Sequence, residues 1–148
     1  MNSNLLLKSG FKNFGEFDCA TIKTRAKELK KTGVYAFVLN KKFQRLKGET
    51  DILYIGQAGG GSHGERPIFK RMMDYCKVSK SAPRKRIGKS PKNITTKERI
   101  GIALKKLDRQ VLLFYKPVNK NQCRKKESDL LVRYSKDHIE LQPLNRRG

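Results

Sequence analysis

The sequence predicts an α/β fold: one small three-stranded sheet, mixed or antiparallel, flanked by helices. Three observations carry that expectation. Three short runs, GVYAFVL at 33–39, DILYIG at 51–56 and QVLLFYK at 110–116, are apolar and rich in β-branched and aromatic residues. Other segments repeat apolar residues every three or four positions, the spacing of a helix buried along one side. From the first strand onward the order is β-β-α-α-β-α, and the first two strands are joined too closely for a parallel crossover.

Taken in order, residues 1–20 lack periodicity. Gly10 and Gly15 alternate with Phe11, Phe14 and Phe17, which reads as an irregular N-terminal arm packed on a single domain at 21–148. Residues 21–31, TIKTRAKELKK, are good helix formers, with Thr21 as a candidate N-cap and Gly33 as a helix-ending glycine. The first strand is apolar on both sides, Val34, Ala36 and Val38 against Tyr35, Phe37 and Leu39, as in a strand covered on both faces. A polar connection at 40–50 leads into the second strand, expected to be antiparallel. The glycine loop QAGGGSHGERP follows, and Pro67 suits the first turn of a helix. In that helix Ile68, Met72, Tyr75 and Cys76 share one face. Residues 77–93 carry seven Lys or Arg and no acid, with Pro83, Gly88 and Pro91 breaking any regular element. They read as a basic surface loop. Ile100, Ala103, Leu104 and Leu107 give the core stripe of a helix at 95–107, capped from Thr95 or Thr96. The strand at 110–116 ends at Pro117, and a last helix covers 121–138.

Charge narrows the partners. Lys and Arg number 35 against 13 Asp and Glu, a formal net charge of +22. Such a surface attracts polyanions, nucleic acid foremost, because each cation laid on a phosphate releases condensed counterions. The three cysteines, Cys19, Cys76 and Cys123, are far apart and form no CxxC pair. A zinc site of the usual spacing and a disulfide framework are both unexpected, and a reducing, cytoplasmic setting fits best. Leu5–Leu7 is too short for the core of a signal peptide, and no apolar run approaches a membrane span, so no membrane partner is expected.

One acid stands out. In the helix NQCRKKESDLLVRYSKDH, Glu127 lies four residues after Cys123, three before Leu130 and four before Leu131. It therefore shares the stripe that faces the core. A carboxylate turned inward must be paired or must hold a cation, since an isolated buried charge is very unfavourable. Helix geometry leaves both options open: satisfaction by a neighbouring Lys or Arg, or service as an oxygen ligand to a hard divalent ion such as Mg²⁺.

These pieces together resemble the GIY-YIG nuclease family. The resemblance runs through Gly33-Val34-Tyr35 on one strand, Tyr54-Ile55-Gly56 on the next, Arg71 in IFKRMMDY, Glu127 in KKESDLL and Asn145 in QPLNRRG, in that order. Val34 stands where isoleucine is commoner, and Tyr75 lies near a place where some members carry a histidine. The resemblance implies a GIY-YIG-like α/β domain that hydrolyses DNA phosphodiester bonds, most naturally in double-stranded DNA, with Mg²⁺ or Mn²⁺ held by Glu127. It implies that Tyr35 and Tyr54 converge, Tyr35 taking the proton of a water and Tyr54 orienting it, in roles that are exchangeable. Arg71 would grip the phosphate, and Asn145 would brace the site by hydrogen bonds. Arg66 competes with Arg71 for the arginine role; Arg71 is preferred because it sits inside the helix ahead of two methionines. His63, Arg66, Lys70, Arg84, Lys85, Arg86 and Lys89 are candidate nucleic-acid contacts. Three functional readings follow: a metal-dependent endonuclease, a non-catalytic nucleic-acid-binding module on the same fold, and a basic RNA-binding protein. Oligomeric state is left open.

Overall fold

A computed structural model of the chain describes residues 1–60, 66–78, 95–107 and 110–145. It is α/β, with an antiparallel sheet flanked by helices. The elements are α1 (Ser3–Lys8), β1 (Lys12–Glu16), α2 (Cys19–Thr24), α3 (Ala26–Leu29), β2 (Gly33–Gln44), β3 (Glu49–Ala58), α4 (Ile68–Cys76), α5 (Thr96–Leu107), β4 (Val111–Pro117) and α6 (Cys123–His138). Among the described residues no helix is long and apolar enough to cross a membrane.

Among the described residues the sheet has four strands, not three, in the order β1-β4-β2-β3, and each of their pairings is antiparallel. The added strand comes from the segment expected to be an irregular arm. β1 gives the sequence little to show: of its five residues only Phe14 is buried, and the register shifts between Asn13 and Gly15. An edge strand of this kind needs no alternating pattern, because one half-covered row suffices. The helix expected at 21–31 is two short pieces. Asp18, not Thr21, caps the first, accepting from the Thr21 amide at 3.0 Å and its hydroxyl at 2.7 Å. Arg25 breaks the run; its guanidinium donates to the Phe14 carbonyl at 2.7 Å and clasps Glu28. Gly33 opens β2 and ends no helix: a Cβ there would lie 2.2 Å from the Lys116 carbonyl oxygen, so the close approach of β4 requires glycine.

β2 lies inside the sheet and is apolar on both faces. One face packs Tyr35 and Phe37 with Tyr54, Ile68, Met72, Tyr75, Ile100 and Leu104, under α4 and α5. The other packs Val34, Ala36 and Val38 with Ile55, Leu130, Leu131 and Tyr134, under α6, and with Leu6 of α1. Burial of these side chains is the main favourable term, at roughly 25 cal/mol per Å² of apolar surface removed from water.

Cys19 and Cys76 form a disulfide across a sequence separation of 57, with Cα atoms 5.9 Å apart. This corrects the expectation of unpaired cysteines. Cys19 opens α2 and Cys76 closes α4, so two helix ends far apart in sequence meet in space, which spacing alone could not reveal. The inference of a reducing setting, which rested on unpaired thiols, loses that support. Cys123 is buried and free. A cross-link closing a loop of this length stabilises the fold by about 4 kcal/mol in the chain-entropy model. Thiol titration of the denatured, unreduced protein is expected to find one free thiol of the three. Dithiothreitol is expected to lower the urea midpoint of wild type while leaving Cys19→Ser unmoved. Three titratable thiols would show that the pair is not formed.

Candidate active site

Strand register builds the site. Tyr35 of β2 stands opposite Gly56 of β3, and Phe37 stands opposite Tyr54. Cross-strand partners share a face, so both tyrosines project on the side covered by α4. Just beyond, Val38 pairs with Ile52, leaving Leu53 as an extra residue in β3. Tyr35 and Tyr54 are thus diagonal neighbours, with ring centroids 6.1 Å apart. Gly56 leaves room for them. A Cβ at this position would lie 2.7 Å from Cζ and Oη of Tyr35 and 2.7 Å from Cε1 of Tyr54. Gly56 sits within β3 as the floor beneath two phenol rings and makes no turn. The turn falls to Gly59, whose φ of +105° is natural only for glycine.

Helix α4 adds the next two groups. Its first amide, from Ile68, donates to the Lys31 carbonyl at 2.9 Å, fixing its start beside the entry to β2. Arg71 and Tyr75 lie four residues apart on one face. The Tyr75 and Tyr35 hydroxyls are hydrogen-bonded at 2.5 Å. Tyr75 was legible in sequence as a core position of the helix, near a place where some GIY-YIG members carry a histidine, but not as a partner of Tyr35; its place one turn after Arg71 was the available signal for more. Arg71 is half-buried and faces Tyr35, Tyr75 and Tyr54.

Glu127, also half-buried, extends from α6 toward the same cluster, where its charge acts on Tyr54 and is felt with those of Arg71 and Arg124. Among the described residues its carboxylate makes no hydrogen bond or ion pair, and the Arg71 guanidinium likewise has no such direct partner. Asn145 lies on the outer edge of β3. Its Nδ2 donates to the Ile55 carbonyl at 3.0 Å and its Oδ1 accepts from the Ile55 amide at 3.1 Å. One side chain thus satisfies the strand edge next to Tyr54 and Gly56. Arg66 is bound to Asp74 at 2.7 Å, its charge met within α4 itself. Lys70 is exposed on the same helix. His63, Arg84, Lys85, Arg86 and Lys89 lie outside the described residues, as does most of the basic loop.

Burial dominates the electrostatics. It pushes the Tyr35 phenol well above its ordinary value, helped by Tyr75 and Tyr54 and opposed by Arg71. Tyr75 is pushed up for the same first reason. Tyr54 rises less, through burial and then the Glu127 charge, with Arg71 again opposing. Burial works against the charge of Arg71, but the three phenols and Asp74 more than offset it, and the guanidinium stays firmly protonated. Burial raises Glu127, while Arg71 and Arg124 pull it down.

A half-buried carboxylate without a direct partner among the described residues suits a hard divalent cation. Mg²⁺ commonly takes one or two protein carboxylates and completes its shell with water and substrate phosphate oxygens. Among the described residues no group of three or more His, Cys, Asp or Glu gathers in one place, so a closed all-protein cage is not what the donors offer. Comparison of this chain with models of known protein families, with curated proteins and with solved structures finds no match.

Two outcomes test this geometry. Gly56→Ala is expected to destabilise the fold by about 1–3 kcal/mol through overpacking, read as a lower urea midpoint with unchanged m-value. A neutral result would mean that the rings do not rest on this residue. Glu127→Gln is expected to stabilise the metal-free protein near neutral pH. A carboxyl whose folded pKa stands above its unfolded value binds more protons folded than unfolded. Stability then falls as pH rises from the ordinary glutamate value of 4.5 through the folded value. The advantage of the glutamine variant in melting temperature should therefore vanish below pH 4.5; an equal advantage at every pH would exclude titration of Glu127 as its source.

Proposed function

We propose that this protein is a metal-dependent endonuclease that hydrolyses phosphodiester bonds of DNA, double-stranded DNA first of all, as the likeness of its motifs to GIY-YIG nucleases suggests. The observation that carries the reading is the meeting of three phenols with a guanidinium and a carboxylate that are both half-buried and, among the described residues, without direct partners. A structural cluster would pair the two charges and gain their attraction. Held apart in a chain of net charge +22, they suit a ligand that brings anionic oxygens to the arginine and a cation to the acid.

In this reading Arg71 grips non-bridging phosphate oxygens through its planar fork. Glu127 holds Mg²⁺ or Mn²⁺, which when bound polarises the phosphate and stabilises the departing oxyanion. Exposure ranks the tyrosines. Tyr35 is 1% exposed and Tyr54 is 8% exposed, so we assign Tyr54 to the water and Tyr35, through its bond to Tyr75, to holding and relaying the proton. This exchanges the roles first expected of them. Asn145 keeps the β3 edge in register. A cytoplasmic place of action belongs to the proposal on the strength of the nucleic-acid substrate; the Cys19–Cys76 disulfide is the observation that weighs against it.

A non-catalytic nucleic-acid-binding module is the second reading, favoured by the raised phenols, since burial opposes the phenolate that a base must become. Nicking of supercoiled plasmid separates the two. Wild type is expected to nick with Mg²⁺ and not with chelator. Glu127→Ala should fall to background, and Arg71→Ala should lose about 10²–10³-fold, the usual loss for one donor to a developing oxyanion. Equal cutting by wild type and Glu127→Ala would remove Glu127 from the role of metal ligand. Absence of cutting on DNA and RNA alike would establish the binding module.

A further inference from the structure

Beside the tyrosine cluster lies a second feature that the reaction chemistry does not use. An open cleft of about 520 Å³ is lined by Lys31 and Thr32 before β2, Lys116 and Asn119 at the end of β4, and Gln122 and Lys126 at the start of α6. Three lysines are among its lining residues, and among the described residues no acidic residue is. Lys31 is exposed and Lys126 half-exposed, and among the described residues the ammonium group of neither makes an ion pair or hydrogen bond. Lys116 gives one proton to the Ser9 carbonyl at 2.6 Å and keeps two. Cations gathered in a concave wall without an acid to neutralise them favour an anionic occupant.

Its place in the fold narrows that occupant. Gly33 pairs with Ala58 on one side and Pro117 on the other, so the start of β2 and the ends of β3 and β4 form one end of the sheet. The cleft opens at that end. Thr32 precedes Tyr35 by three residues, roughly 10 Å of strand. Lys126 is next in chain to Glu127. The Lys31 carbonyl holds the first amide of the helix that carries Arg71. Each wall of the cleft is therefore tied to an element that supplies the tyrosine site. About 10 Å spans some three nucleotides at 3.4 Å of rise each, so a strand held at Arg71 reaches the cleft a few phosphates away.

We infer that this lysine-lined cleft seats backbone phosphates of the nucleic-acid strand whose scissile phosphate lies at the tyrosine site, setting how the strand runs across the protein. The inference rests on the nuclease reading for its substrate, but its test does not depend on cutting. Lysines at this site meet phosphate as point charges and read no base, so the cleft contributes affinity and direction without sequence preference.

The test is equilibrium binding of a fluorescent DNA duplex, followed by anisotropy in chelator over a range of NaCl. Lys31→Gln/Lys126→Gln is compared with Lys41→Gln/Lys42→Gln, an equal charge change on exposed residues toward the far end of β2. The cleft variant is expected to bind at least about tenfold more weakly than the distal one, uniformly across duplex sequences. Its slope of log K against log salt should shrink by about 0.9 for each phosphate that is no longer neutralised, while the distal variant keeps the wild-type slope. If the double variant misfolds, the single surface change Lys31→Gln reads the same reduction of slope for one phosphate. Equal weakening by cleft and distal variants, or an unchanged slope, overturns the proposal. A third arm adds inorganic phosphate at matched ionic strength. Displacement of duplex no better than by chloride supports a backbone seat, whereas selective displacement that disappears in the cleft variant identifies a free-phosphate site and overturns it. Binding without cutting would fail the nuclease reading and leave this result standing.

Discussion

The pairing of Tyr35 with Gly56 is the constraint on which the site depends. A tyrosine buried in the middle of a sheet needs space above the neighbouring strand and a partner for its hydroxyl. Gly56 provides the first, because any Cβ would meet two phenol rings at 2.7 Å. Tyr75 provides the second from above, at 2.5 Å. With Tyr35 leaning over Gly56, Tyr54 takes the diagonal place, and α4 must pack where Tyr75 reaches down. Arg71 then follows by helix geometry alone, one turn earlier on the same face. A single cross-strand register thereby fixes groups from three elements. It also demands that β3 not slip. β3 is the edge strand next to β2, and a shift of one residue would turn Tyr54 to the opposite face. The clasp of Asn145 on both polar groups of Ile55 holds that edge.

The same burial that orders the phenols makes them poor bases, and the two effects have to be weighed together. Desolvation is the first cause of the upward shift in all three tyrosines of the cluster, and Arg71 is the cation that opposes it in each. Glu127 adds to the upward shift of Tyr54. A cation at Glu127 would reverse the sign of that contribution, since positive charge favours phenolate. In the proposed reaction, a cation held by Glu127 would therefore act with Arg71 against the burial that keeps the phenols neutral.

How much of this was legible in the sequence depends on what signal each part leaves. β2 and β4 are apolar on both faces and declare themselves as covered strands. Glu127 is found by helix phase, because a charge on a buried stripe is conspicuous against Cys123, Leu130 and Leu131. β1 leaves almost no trace, since one buried phenylalanine and a bulged glycine look like a loop. The extra residue at Leu53 is equally silent, yet without it the pattern of β3 beyond Tyr54 would face the wrong way. Tyr75 is visible as a core residue but not as a partner of Tyr35, because its hydroxyl bond crosses 40 residues. The Cys19–Cys76 pair carries no motif at all. Local periodicity reports which side of an element is buried; it is blind to contacts made between elements.

That blindness matters most for α4, which holds both Arg71 and Tyr75. A nine-residue helix is marginal by itself, so its position must come from its anchors. One is at its start, where the Ile68 amide meets the Lys31 carbonyl. The other is at its end, where Cys76, next to Tyr75, is bonded to Cys19 at the head of α2. Between them the apolar face of Ile68, Met72 and Tyr75 is fully covered. A helix held at both ends cannot translate along its axis without breaking one anchor, and axial translation is the motion that would part Tyr75 from Tyr35. Misplacement by 1 Å can reduce a rate about a hundredfold. The two anchors, one noncovalent and one covalent, therefore serve the spacing of the phenol cluster as directly as the strand register does.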